Sequence, residues 1–118
     1  MTLTEFVTAR LDEDEAAAKD ALSERWHIDT EGNVRDESTL YVATGPWDGP
    51  VDEADAAHIA RHDPARVVRE VEAKRKIVAA YQPNGQGVAY VLEAGLEFAL
   101  GQMAAVWSDH PDYDPAWG

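Results

Sequence analysis

Apolar residues recur over the first part of the chain at the spacing of one helix face: Leu3, Phe6, Val7, Leu11, Ala17, Ala18, Ala21 and Leu22. This predicts a helix over Thr4 to Leu22 with Thr4 as its N-cap. Asp14 falls inside that face one turn after Arg10, so the spacing predicts an Arg10 to Asp14 ion pair at the margin of the core. The run Asp12 to Glu15 otherwise reads as a solvated surface. From Arg25 the period shortens to two. Trp26 and Ile28 alternate with polar neighbours, Thr30 to Asn33 supplies turn residues, and Thr39 to Ala43 follows as another apolar run. The pattern predicts an antiparallel meander of two or three short strands. An isolated ribbon is marginal in water, so its Trp26, Ile28, Leu40 and Val42 side is expected against a helix.

The Gly and Pro content of Thr44 to Pro50 predicts a loop, from which Trp47 is expected to fold back as a lid on the core. Asp63 followed by Pro64 is a stop and restart, because Asp favours the N-cap and Pro the first helical position. Two helices follow, about Asp52 to His62 and Pro64 to Tyr81. After the loop QPNGQG a last helix is expected from Val88 to Trp107. Its Val91, Leu92, Leu96, Phe98, Leu100, Met103, Val106 and Trp107 cover most of the circumference, which predicts the central and most buried element. Residues 109–118 read as a polar tail held by Tyr113 and Trp117, after a compact domain over 1–108. The fold class is α+β: a mostly helical single domain of about four helices with a small meander.

At 118 residues the chain has room for one modest core. It contains no cysteine, which excludes disulfides, thiolate chemistry and cysteine zinc sites. The opening lacks the basic and apolar regions of a signal peptide, and no apolar run is long enough to span a bilayer, so a cytoplasmic protein without membrane contact is expected. The net charge of −13 opposes direct binding to nucleic acid. That charge is uneven. Arg61 to Lys76 holds six basic against three acidic residues, a local excess of +3, and the rest of the chain carries −16.

The segments ARLDEDE, Trp26-His27, HIARHDPARVVREVEAKRKI and DHPDY together resemble an uncharacterised family of small actinobacterial and actinophage proteins, catalogued as a domain of unknown function. The resemblance runs over nearly the whole chain and implies a cytoplasmic accessory protein of an actinobacterium or its phage. It implies no reaction and assigns no functional residue.

Among candidate chemistry, Asp55, His58 and His62 fall within about 60° of one another on an ideal helix, a spacing that lets two imidazoles and a carboxylate share a divalent metal, with His110 or Asp112 as a further ligand. The glutamate of H-E-x-x-H is missing, so protease chemistry does not follow. A helix-packing role for the two histidines is the competing reading. In the basic segment, Arg66, Arg69 and Lys76 lie opposite the Val67, Val71 and Val78 stripe and face solvent. Glu70 to Lys74 and Glu72 to Lys76 are spaced as ion pairs. Arg75 sits beside the stripe and calls for a carboxylate such as Asp14. No Gly-rich phosphate loop and no nucleophile elbow are present.

The leading expectation is a non-enzymatic interaction or regulatory protein that meets an unidentified protein partner through Arg66, Arg69, Lys76, Trp47 and Trp117. One alternative is an acidic antagonist that mimics DNA before a host enzyme. Another is a small metal-dependent enzyme built on Asp55, His58 and His62. Oligomeric state stays open, because the apolar last helix fits either a single chain or a dimer.

Overall fold

The computed structural model describes residues 1–81 and 90–118. Among these, four α-helices and three short strands run in the order α1 (Leu3–Asp20), β1 (Trp26–Ile28), β2 (Val34–Asp36), β3 (Tyr41–Ala43), α2 (Glu53–Arg61), α3 (Pro64–Ala80) and α4 (Tyr90–Ala104). Short 3₁₀ turns occupy Pro46–Asp48, Ala105–Trp107 and Pro115–Trp117. This is the expected α+β class. No helix among the described residues is long and apolar enough to cross a membrane. The chain forms two compact units, one of Met1–Glu13 with Val71–Gly118 and the other of Asp14–Glu70.

In the first unit, α1 begins at Leu3 and its cap is Thr2, two residues before the expected cap Thr4. The Thr2 hydroxyl accepts the Glu5 N–H at 3.1 Å, and the Glu5 carboxylate accepts the Thr2 N–H at 2.9 Å. The reciprocal arrangement is a capping box written as T-L-T-E, and it satisfies donors that a helix start leaves open. Phe6, Val7 and Leu11 of α1 are buried, together with Val71, Leu100 and Ala104. The heart of this core is therefore α1.

The expectation for the last helix is corrected. Leu100, Gly101 and Ala104 of α4 are buried, whereas Val91, Leu92 and Phe98 are exposed. Composition set the all-round apolar pattern, and only one side found partners. Gly101 marks that side, since a Cβ there would meet the Trp117 carbonyl oxygen at 2.1 Å. The expected start at Val88 and the QPNGQG loop lie outside the described residues.

The C-terminal residues close this core. Phe6 is ringed by Trp107, His110, Tyr113 and Trp117 at centroid distances of 6.5, 5.6, 6.0 and 5.1 Å. Edge-on and tilted aromatic pairs of this kind add to the stabilisation from burial alone. A polar tail that could not form a core by itself thus contributes three of these four rings, His110, Tyr113 and Trp117.

In the second unit, the strands form a meander of order β1-β2-β3, antiparallel throughout. Val34 pairs with Ile28 and Asp36 with Trp26, so the four share a face. It is the central strand that is covered: Val34 and Asp36 are buried, while Ile28, Leu40 and Val42 stay exposed. The expected buried side of Ile28, Leu40 and Val42 is thereby corrected. The register shift between Val34 and Arg35 against β3 breaks the simple alternation from which it was read. Helix α2 packs on β1 and β2.

Both hairpin turns are organised by one device. Asp29 Oδ1 accepts the N–H groups of Glu31 and Asn33, each at 2.9 Å, and Asp36 Oδ1 accepts those of Ser38 and Leu40 at 2.8 and 3.0 Å. In each case an aspartate folds the chain over residues i+2 and i+4, the habit that makes Asp a turn residue. Asp63 joins sheet to helix. One carboxylate oxygen accepts the Arg66 N–H at 2.9 Å as the cap of α3, and the other accepts the Trp26 N–H at 3.3 Å. The Asp63-Pro64 restart is where the sequence placed it, and Asp52 caps α2 by accepting the Ala54 N–H.

Candidate functional site

The surface of the Asp14–Glu70 unit carries two grooves that share Ala21, Leu22 and Ser23. The first, of about 490 Å³, is bounded by Arg25 and Lys19 on one side and by Pro64, Val68 and Arg69 of α3 on the other. The second, of about 410 Å³, runs between the same linker and Trp26, Asp36, Leu40, Tyr41 and Val42. Leu22 stands where they meet, 88% exposed.

This site arises because α1 ends at Asp20, short of the expected Leu22. The linker is tied to the turn after β2 and to α3 instead: the Glu37 N–H donates to the Ser23 hydroxyl at 3.3 Å, and the Glu24 carbonyl accepts the Ala65 N–H at 2.8 Å. Leu22 therefore leaves the helical face and turns outward. No local pattern announces this, because the ties run to residues far along the chain. Arg25, like Leu22, was not among the expected site residues.

The electrostatics differ between the grooves. Lys19 is neutralised by Glu15 across one helical turn. Arg25 and Arg69 are exposed, and among the described residues neither is paired with a carboxylate. Arg66, also expected to be available, pairs with Glu70 at 2.9 Å and reaches the Arg61 carbonyl at 3.4 Å. Lys76 is exposed and belongs to the other unit. Beside the second groove, the Arg35 guanidinium lies 3.9 Å above the Tyr41 ring and bonds Asp29 at 2.6 Å. That hydrogen bond and those from the Asn33 and Glu31 N–H groups hold the Asp29 carboxyl below its usual range.

Trp47 is 98% exposed, which overturns the expectation of a lid. It sits at φ 52°, ψ 41°, left-handed backbone that an aromatic residue seldom adopts. The turn around it is closed at both ends, with the Gly45 N–H bonded to the Gly49 carbonyl at 2.8 Å and the Gly49 N–H to the Pro46 carbonyl at 2.9 Å. Gly45 is obligatory there, because a Cβ would stand 1.9 Å from the Pro50 oxygen. The closed turn aims the indole away from the core.

Trp117 is a core ring, packed on Phe6 and, at 5.9 Å, on Tyr113. His58 and His62 do come together, their rings 4.4 Å apart, with His62 Nδ1 donating to the His58 carbonyl at 2.8 Å. Neither Asp55 nor His110 joins them, since among the described residues no group of three or more His, Asp or Glu is placed to hold a metal ion. His110 is engaged elsewhere: its Nε2 contacts Arg10 Nη1, and its Nδ1 accepts the Asp112 N–H at 3.1 Å. Arg10 pairs with Glu13 at 3.0 Å. Arg75 bonds Asp12 at 2.8 Å.

The whole chain, residues 1–118, matches the model of a family of unknown function, DUF6221, and belongs to that family. No curated protein and no solved structure matches it.

Proposed function

We propose that this member of a family of unknown function is a protein-interaction module whose Asp14–Glu70 unit receives a partner segment bearing both apolar and acidic side chains. The observation that carries this is the pair of grooves meeting at Leu22, one lined by the unpaired Arg25 and Arg69 and the other by Leu40, Tyr41 and Val42. In a chain of net charge −13, two exposed arginines flanking one groove are an exception that selects a carboxylate-bearing ligand. An apolar anchor set between them supplies the desolvated centre that concentrates binding energy, and the polar edge supplies orientation. Trp47, held outward on a closed turn of the same unit, is a second anchor whose ordering entropy is already spent on folding. The setting is the cytoplasm of an actinobacterium or its phage.

The test is capture of partners by the tagged chain in an actinobacterial host, with identification by mass spectrometry after nuclease treatment, using wild type, Leu22→Ser and an Arg25→Glu, Arg69→Glu double variant. A stoichiometric protein retained by wild type and lost from both variants supports the proposal. Equal retention by all three refutes it.

A further inference from the structure

We propose that α4 is a homodimerisation helix, seated antiparallel on the α4 of a second copy of this chain. The starting observation is the exposed side of that helix: Val91 is 81% exposed, Leu92 56%, Phe98 69% and, just beyond its end, Val106 67%. These four side chains uncover on the order of 500 Å² of largely apolar surface, above the few hundred Å² at which a patch marks a contact. With the exposed Ala94, Gly95 and Gln102 and the half-exposed Ala99, the strip approaches the roughly 800 Å² per partner of a stable interface.

The strip carries no charge. Val91, Gly95, Phe98 and Gln102 follow one another at i, i+4, i+7 and i+11 along one helical line. The two acidic residues, Glu93 and Glu97, lie on another side of the helix. In a chain with 28% charged residues, fifteen helical positions that keep both their charges off one face are selected for contact with something apolar.

The shape identifies the occupant as a second copy. The helix has two described glycines, and they differ. Gly101 is pressed against the Trp117 backbone, whereas a Cβ on Gly95 would meet nothing within 4 Å. A glycine in mid-helix weakens the helix unless something approaches closely there, and among the described residues nothing does. A two-fold axis across α4 between Gly95 and Phe98 lays each Phe98 ring into the space above the partner's Gly95. The same axis sets Val91 beside the partner's Gln102. One large and one vacant position three residues apart thus complement themselves, as an isologous interface requires. The contact lies in the Met1–Glu13 with Val71–Gly118 unit, and the grooves at Leu22 belong to the other. A dimer would display those grooves twice and so raise the avidity for a repeated ligand.

Sedimentation velocity of the full chain across micromolar concentrations reads the proposal directly. A dimer is expected, tightened by salt because each copy carries −13. Phe98→Glu and Val91→Lys are each expected to weaken it at least tenfold while helicity holds, since both side chains face outward. The chain has no native cysteine, so register can be read by cross-linking. A Val91→Cys chain mixed with a Gln102→Cys chain should form the mixed disulfide, and Val91→Cys alone should not form its own. A monomer at every concentration overturns the proposal. So does a dimer indifferent to both charged variants, or one that links Val91→Cys to itself.

Discussion

Arg10 and His110, a hundred residues apart in sequence, meet through guanidinium Nη1 and imidazole Nε2 beside the face of Phe6. The opening and closing segments of the chain, ARLDEDE and DHPDY, are thereby joined in one cluster. The Arg10 side chain is buried and lies 5.3 Å from the Phe6 ring centroid, and it pairs with Glu13. Its aliphatic stem packs while its charged head pairs with Glu13.

Removal of either member should be felt globally. Arg10→Ala is expected to cost about 2 kcal/mol through lost packing and an opened cluster. At roughly 4 °C per kcal/mol for a domain of this size, that lowers the melting temperature by about 8 °C. Truncation after Asp109 removes His110, Tyr113 and Trp117 together and should be worse, abolishing a cooperative melt by circular dichroism. An unaltered melt of the truncated chain would show that these rings are dispensable.

The two turn aspartates separate geometry from charge. Asp36→Ala strips the Ser38 and Leu40 N–H groups of their acceptor and is expected to cost about 1–3 kcal/mol. Asp36→Asn keeps a side-chain oxygen for both and should cost less than about 1 kcal/mol. Urea titration of the pair checks this, with the difference between them as the readout.

The pH response of the Asp29 hairpin has a fixed sign. The Asp29 carboxyl titrates below its ordinary value of 3.8 in the folded chain. A depressed folded value means that its contribution is complete above the unfolded value and disappears as pH falls through the folded one. Stability should therefore drop under acid more steeply in wild type than in Asp29→Asn, which has no carboxylate to protonate. Thermal melts between pH 5 and 2 measure it, and parallel curves would contradict the assignment.

The Trp47 turn predicts an unusual gain. Trp47 is exposed yet held in left-handed backbone, so Trp47→Asn exchanges a disfavoured residue for one that tolerates this region. A stabilisation of up to about 1 kcal/mol is expected. Gly45→Ala should do the reverse, because its Cβ has no room beside Pro50. The two melts, run side by side, distinguish a strained turn from a relaxed one.

Much of the architecture was legible in short-range chemistry. The Asp63-Pro64 restart, the period of α1 and the meander all follow from residues that act within one or two turns of themselves. Even the missed cap at Thr2 was written locally, as Thr2 and Glu5 at the spacing of a capping box. The unpaired arginine of the candidate site was partly visible too, since Arg69 was placed on a solvent face. Leu22 and Arg25 were not, because the early end of α1 depends on Ser23 and Glu24 meeting Glu37 and Ala65.

Sequence by itself determined the elements, their caps and the class of fold, since periodicity and capping are properties of neighbouring residues. Tertiary structure decided which apolar residues are covered. It sent Phe6 into a ring of C-terminal aromatics, turned Trp47 and Leu22 outward, and left half of α4 bare. The reason is that hydrophobicity states only that a side chain gains by leaving water. Which surface it meets depends on contacts between residues far apart in the chain, and no local pattern specifies those.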